Sequence, residues 1–296
     1  MPARPPRPSA DASGAPGGRP PQNARTGLVV LLGDPVEHSL SPAIHNAAFQ
    51  AQGLNLAYLA CRVRPARLGD AVAGLDALGA VGANVTLPHK RRALELAATA
   101  SPAAAAMGAA NTLVRGETGW HADNTDVAGF LGPLQPVAER LRGETVLVIG
   151  AGGAARAVVW AAREHLGARV IVAARRLAQA EELASAFSAE ALPLDAARPP
   201  GREAAVVVNA TPVGMAPHPD ATPWTFAPDV RRDQIAYDLV YRPAQTRFLR
   251  DAAALGLATI GGLPMLLGQA AAAYALWTGR EMPLDAVRAA LDRPTP

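Results

Sequence analysis

The sequence predicts an α/β fold arranged as two domains, each built on a mostly parallel sheet. Its 296 residues exceed the roughly 250 at which single cores stop growing, and 50% of them are apolar, enough for a sizeable interior. Apolar strand-like runs alternate with helix-like segments in two successive series, the pattern of sheets covered by helices. Turn residues separate the two series, and a glycine-rich turn follows the first strand of the second.

Residues 1–26, MPARPPRPSADASGAPGGRPPQNART, are Pro, Gly, Ala and Arg with almost no large apolar side chain, so they are expected to form a disordered tail. They lack the apolar centre of a secretory signal, and their prolines oppose the amphipathic helix of a mitochondrial presequence. The expected location is therefore cytoplasmic. LVVLLG, residues 28–33, reads as a buried strand closed by a turn at Gly33-Asp34-Pro35. Ser41-Pro42 marks a helix start, with Ser as N-cap and Pro in the first turn. YLACRV reads as a strand, Leu68 to Leu78 as a helix and ANVTLP as a short strand.

The boundary is placed in Asp123 to Arg142, which holds several turn residues. The second series opens at Thr145 with TVLVIG and continues through an Ala-rich helix, RVIVAAR and AVVVNAT. A final helix is expected at Pro264 to Thr278. The apolar stretch Leu263 to Thr278 is shorter than the roughly 20 residues of a membrane span and contains Gly268 and Gln269, so it reads as a buried helix and no membrane partner is expected.

The formal charge of +3 resides in the tail, where Arg4, Arg7, Arg19 and Arg25 face Asp11 alone. Setting those five aside leaves 24 of the 28 cations and 24 of the 25 acids, and a neutral body argues against a groove for nucleic acid. Cys61 is the single cysteine, which excludes an internal disulfide and a cysteine-cluster metal site. The six histidines form no H-x-x-x-H or H-E-x-x-H pattern, so no metal is expected.

VLVIGAGGAARAVVW places Gly150, Gly152 and Ala155 in G-x-G-x-x-A spacing after a strand and at the start of a helix. Such glycines let the backbone approach a pyrophosphate, whose charge the free amides of the helix N-terminus bind. The next strand, RVIVAARR, ends about 25 residues after Gly150, where an NAD site would offer a carboxylate to the ribose 2′-hydroxyl. This chain offers Arg175 and Arg176, two guanidinium groups suited to a 2′-phosphate, so NADP is expected over NAD.

In the first half, EHSLSP, NVTLPHK, ANTLV and DNTD are four hydroxyl- and amide-rich groups at expected strand ends or helix starts. Asn, Ser and Thr both donate and accept hydrogen bonds, so together they can line a pocket for a small polyhydroxylated molecule. NVTLPHK ends on Lys90, the only lysine among the 28 cations.

The order and spacing of these segments resemble the shikimate dehydrogenase family over about residues 27–290. The resemblance is carried by GDPVEHSLSPAIHN, GANVTLPHK, GAANTLV, DNTD, VIGAGGAARA, VVNATPVGM, YDLVYRPAQT and GGLPMLLGQA. It implies an N-terminal α/β substrate domain plus a Rossmann-type NADP-binding domain with a cleft between them. The substrate-binding domain would be residues 27–126, with 262–296 returning to it, and the NADP-binding domain 127–261. The implied activity is the NADP-dependent, reversible reduction of 3-dehydroshikimate to shikimate in aromatic amino-acid biosynthesis, by a monomer or homodimer acting on a small molecule.

By position, the resemblance gives Ser39 and Ser41 the substrate carboxylate, with Tyr241 nearby. It gives Asn84, Thr86, Asn111, Asp126 and Gln269 the ring hydroxyls, and makes Lys90 and Asp126 the catalytic pair. Gly150, Ala151, Gly152, Gly153 and Ala154 would cradle the pyrophosphate and Arg175 and Arg176 the 2′-phosphate. Thr211, Leu239 and Gly262 would lie along the ribose and nicotinamide. The chain departs from the family at His89, where phenylalanine is also common, at Ala174, often Asn, at Leu239, frequently Met, and at Pro264 in a usually glycine-rich run.

Chemistry supports the pair independently. Hydride reduction of a ketone leaves an oxyanion that must gain a proton, and the reverse reaction must remove it. A lysine can do both, because burial lowers an ammonium's pKa and a nearby carboxylate raises it, whereas an arginine stays protonated. Asp126 is left three roles: to orient Lys90, share its proton or bind a neighbouring hydroxyl. Two alternatives stand beside this reading, an NAD-dependent quinate/shikimate dehydrogenase and a nonenzymatic NADP-binding regulator.

Overall fold

The computed structural model describes residues 22–293. Most of the expected tail lies outside the described residues. Its last residues differ from the expectation: Asn23 and Thr26 close a turn in which the Arg25 amide donates to Asn23 Oδ1 (2.9 Å) and Thr26 Oγ1 donates to Asn55 Oδ1 (2.8 Å). Short polar side chains that bond the nearby backbone make such turns without an apolar core.

Two compact units result, one running to Thr125 and resuming at Ala270, the other Asp126–Gln269. In the first, a six-stranded sheet is built from β1 (Gly27–Gly33), β2 (Leu56–Arg62), β3 (Gly82–Val85), β4 (Thr99–Ala100), β5 (Thr112–Gly116) and β6 (Gly119–Asp123), in the order β2-β1-β3-β5-β6-β4. Strands β1, β2 and β3 are parallel, and β5 runs antiparallel to β3 and β6. The helices of this part of the chain are α1 (Ser41–Ala51), α2 (Leu68–Ala77), α3 (Lys90–Glu95) and α4 (Pro102–Met107). Helix α1 starts earlier than expected. Leu40 holds the N-cap position and Ser41 is already helical, with its amide donating to Ser39 Oγ (3.2 Å).

The second unit carries a fully parallel sheet of β7 (Thr145–Ile149), β8 (Arg169–Ala174), β9 (Glu190–Pro193), β10 (Val206–Asn209), β11 (Ile235–Asp238) and β12 (Ala258–Ile260), ordered β12-β11-β10-β7-β8-β9. Read from β9, that is the 3-2-1-4-5-6 order of a Rossmann sheet. Residues 146–149 of β7 and 206–208 of β10 are apolar and buried, as parallel strands covered on both faces must be. The accompanying helices are α5 (Asp126–Leu131), α6 (Gly153–Glu164), α7 (Leu177–Ala186), α8 (Arg198–Glu203) and α9 (Arg247–Ala254). Helix α10 (Gly262–Thr278) spans the division, and α11 (Leu284–Leu291) follows.

The division falls slightly away from the expected limits, at Asp126 and at Ala270. The stretch expected to be a turn-rich boundary holds α5, and the first turns of α10 lie against it: a Cβ on Gly129 would meet Met265 O at 2.5 Å and the Gln269 amide at 3.0 Å. That close approach places the start of α10 with α5. Among the described residues no helix is long and apolar enough to cross a membrane, and no cluster of three metal-ligating side chains occurs.

The first unit's interior contains an aromatic group of His45, Phe49, Tyr58, Tyr274 and Trp277. The His45 ring stacks on Tyr58 with centroids 4.5 Å apart and packs on Trp277 at 5.2 Å. His45 is fully buried, and neither ring nitrogen has a hydrogen-bond partner among the described residues. Burial pushes its pKa from 6.5 down to about 3, because an imidazolium there would lose its hydration. Between those values the unfolded chain holds a proton that the folded chain refuses, so stability falls by about 1.4 kcal/mol for each pH unit of acidification below 6.5. On going from about pH 7.5 to about pH 5, wild type is expected to lose roughly 2 kcal/mol more than His45→Leu in chemical unfolding. Parallel losses in the two proteins would show that this imidazole is not the group responsible.

Candidate active site

The polar segments of the first unit finish on one edge of its sheet. β1 and β3 are parallel, so the chain leaves Gly33 and Val85 at the same edge. β5 is antiparallel to β3 with Thr112 opposite Asn84, so Asn111 enters there. β6 is antiparallel to β5 with Asp123 opposite Thr112, which brings Asn124 and Thr125 to that edge. It is the carboxyl edge of β1 and β3, at the point where the strand order reverses, and open α/β sheets bind ligands at such points. Ser39, Ser41, Asn84, Thr86, Lys90 and Asn111 all belong to these segments.

A buried hydrogen-bond network joins several of them. Asn84 Oδ1 accepts from Tyr58 Oη (2.8 Å), and its Nδ2 donates to Asn111 O and Thr112 Oγ1, each at 3.2 Å. Asn111 Oδ1 accepts from Thr112 Oγ1 (2.9 Å), the Thr125 amide (2.7 Å) and Thr125 Oγ1 (3.1 Å). Burial drives the pKa of the Tyr58 hydroxyl well above its usual range, so Tyr58 acts only as a neutral group. Thr86 is half-buried, with its methyl against Gly33.

Lys90 opens α3 and is half-buried. Its carbonyl accepts from the Ala110 amide (2.9 Å), and Ala110 immediately precedes Asn111. Thr125, which the Asn111 side chain holds, immediately precedes the buried Asp126 at the start of α5. The residue before Lys90, His89, is buried with Nε2 2.7 Å from Val63 O. The backbone beside each of the proposed proton-transfer groups is therefore held by hydrogen bonds.

Tyr241 and Gln269 lie in the second unit. Tyr241 is half-buried, which raises its phenol pKa, and Gln269 is buried on α10 with Nε2 donating to Leu266 O (2.9 Å).

The nucleotide-type turn stands at the carboxyl end of β7, beside β10, where this sheet's order also reverses. Gly150 has φ +109° and a Cβ there would strike Thr211 Cγ2 at 2.9 Å and Ala210 O at 3.1 Å, so only glycine fits. Gly152 caps the twelve-residue α6, and a Cβ on it would meet nothing within 4 Å. A glycine without a packing reason leaves open space in front of the helix amides, as a pyrophosphate requires. Ala155, the third position of the motif, is fully buried. Arg175 and Arg176 follow β8 directly and are exposed, and the first turn of α7 contains no acid. These residues fit a phosphorylated dinucleotide.

Thr211, Leu239 and Gly262 are brought together at the ends of β10 and β11. The Leu239 amide donates to Asn209 O (3.0 Å), and a Cβ on Gly262 would lie 2.4 Å from Leu239 O. Beneath them Asn209 Oδ1 accepts from the Thr211 amide (3.0 Å) and Oγ1 (2.7 Å), while its Nδ2 donates to Asp238 Oδ1 (2.9 Å). Asp238 also accepts from the Val240 amide (3.0 Å) and from Thr246 Oγ1. Burial raises its pKa against the pull of these donors.

Residues 31–113 match the shikimate dehydrogenase substrate binding domain, 134–217 the shikimate/quinate 5-dehydrogenase family and 262–291 the shikimate 5′-dehydrogenase C-terminal domain. The shikimate dehydrogenase (NADP(+)) of Salinibacter ruber is 52% identical over 281 residues, which cover 92% of this chain and 99% of that protein. The chain belongs to the shikimate dehydrogenase family. Among solved structures, a shikimate dehydrogenase in complex with NADP+ superposes with a TM-score of 0.87 at 34% identity, covering 95% of this chain and all of the other. The Thermus thermophilus shikimate 5-dehydrogenase in complex with NADP(H) and shikimate gives 0.79 at 41% identity, over 89% and 98% of the two chains. The two sheets are thus those of the shikimate dehydrogenases, an N-terminal substrate domain and a Rossmann-type NADP-binding domain.

Some residues that shape these sites escaped the sequence reading. Tyr58 sits in a strand where an aromatic reads as packing. Asn209, Asp238 and Thr246 stood inside the motifs VVNATPVGM and YDLVYRPAQT, and only their contacts reveal what they hold.

Proposed function

We propose that this chain is an NADP-dependent shikimate dehydrogenase that reversibly reduces 3-dehydroshikimate to shikimate in aromatic amino-acid biosynthesis. The observation that carries the reading is the convergence of Ser39, Ser41, Asn84, Thr86, Asn111 and the only lysine on the carboxyl edge of the substrate-domain sheet. Ser39 and Ser41, with Tyr241, hold the substrate carboxylate. Asn84, Thr86, Asn111, Asp126 and Gln269 serve the ring hydroxyls.

The open turn from Gly150 to Ala154 holds the cofactor's pyrophosphate, Arg175 and Arg176 its 2′-phosphate, and Thr211, Leu239 and Gly262 its ribose and nicotinamide. Bound there, the reduced cofactor would supply hydride to the substrate carbonyl, and the oxidised cofactor would take it back from the alcohol. Lys90 gives a proton to the carbonyl oxygen as negative charge develops on it, and in the reverse direction removes the hydroxyl proton. Asp126 works with Lys90 as the carboxylate partner of that exchange. The enzyme acts in the cytoplasm, as a monomer or homodimer, on a small molecule and without nucleic acid.

Reduced-nicotinamide absorbance on mixing the protein with shikimate or quinate and with NADP or NAD tests the reading. Turnover with shikimate and NADP is expected. No turnover with that pair would overturn the proposal, and turnover confined to quinate and NAD would make the chain a catabolic quinate enzyme.

A further inference from the structure

We propose that Tyr58 is a positioning residue for substrate binding, whose hydroxyl fixes the Asn84 side chain at the carboxyl edge of the sheet. The inference rests on the proposed function, because Asn84 matters to catalysis only if it binds the substrate's ring hydroxyls.

Three features single out the hydroxyl and not the ring alone. Tyr58 is 1% exposed in β2, with its ring stacked on His45 and 6.2 Å from Trp277, so packing alone would be served by phenylalanine. A buried hydroxyl is costly unless bonded, and this one donates to Asn84 Oδ1 at 2.8 Å. The residue is also held by its backbone: its amide donates to Asn46 Oδ1 and its carbonyl accepts from Asn46 Nδ2, both at 2.9 Å. Asn46 belongs to α1 and Asn84 to β3, so one residue ties α1, β2 and β3 at a single point.

The direction of the Tyr58 bond matters for Asn84. An amide can present oxygen or nitrogen to a given neighbour, and a donor at Oδ1 selects the orientation in which Nδ2 faces Asn111 O and Thr112 Oγ1. Asn111 in turn holds Thr125. Loss of the phenolic hydrogen leaves Oδ1 without its donor, which loosens a side chain expected to contact substrate. No atom that takes part in hydride or proton transfer is removed.

Tyr58→Phe keeps the stacked ring and deletes the hydroxyl. Its shikimate KM is expected to rise about tenfold, while kcat and the NADP KM stay within about twofold of wild type. A lower melting temperature with unchanged or lowered shikimate KM would overturn the inference and leave Tyr58 a packing residue. As a measurement independent of that variant's folding, the otherwise native protein carrying 3-fluorotyrosine at position 58 is titrated with shikimate and its 19F resonance followed. The line is expected to move, and an unmoved line at saturating shikimate would also overturn it. Wild-type turnover is read first in the same assay, so failure of the shikimate dehydrogenase reading is distinguished from failure of the role given to Tyr58.

Discussion

Lys90→Arg is expected to lose about a hundredfold to ten-thousandfold in kcat with shikimate while the shikimate KM stays within a few-fold of wild type, and Lys90→Ala is expected to lose as much. The substitution by arginine is the decisive one. It keeps the positive charge and most of the reach, so it preserves electrostatic attraction for the developing oxyanion. It removes only the capacity to give up a proton near neutrality, since a guanidinium stays protonated. The site around Lys90 is well anchored, with its carbonyl bonded to Ala110 and His89 buried behind it, so the variants are expected to fold normally. A kcat loss with KM kept is the mark of a group that acts in the transition state and not in ground-state binding. Near-normal turnover of Lys90→Arg in a steady-state assay would mean that charge alone is required.

The elements legible in the sequence were those whose signal is local. Residues 146–149 of β7 and 206–208 of β10 are continuous apolar runs, and the glycines between β7 and α6 stand at a spacing that reflects close backbone approach, so the Rossmann half could be read directly. The β5–β6 hairpin and α5 were not legible. Their ends are formed by ANTLV and DNTD, whose amides and hydroxyls read locally as turn residues, and α5 is only six residues long. Position in the fold, not propensity, makes that stretch helical, because Gly129 permits the close approach of α10.

The site shows the same division. The segments holding Ser39, Ser41, Asn84 and Lys90 stood out because polar residues at strand ends carry a signal of their own, and the roles expected of these residues came from the family resemblance. Their support was hidden because it joins distant parts of the chain. Asn84 meets Tyr58 from 26 residues away and Thr112 from 28, and Asp238 meets Asn209 from 29. No periodicity or short motif encodes pairings of that kind. Only the parallel and antiparallel registers of the sheet bring them together.

Removing Arg175 and Arg176 is expected to have the second large effect, on cofactor choice. A charge-assisted bond to a phosphate contributes roughly 1.5 to 3 kcal/mol, so Arg175→Ala and Arg176→Ala should each lower kcat/KM for NADP about tenfold to a hundredfold. NAD has no 2′-phosphate, so its kcat/KM should change by less than about twofold, and the ratio of the two is the quantity to measure. Both side chains are exposed and the first turn of α7 offers no acid to neutralise them, which suits them to a mobile anionic ligand. The double variant adds information. Guanidinium groups on the same phosphate share its charge, so their losses should fall short of multiplying, whereas independent surface charges would multiply or do nothing. If neither single variant alters the NADP to NAD ratio, the two arginines are solvated residues at the start of α7, and selection for the 2′-phosphate must come from elsewhere in the second unit.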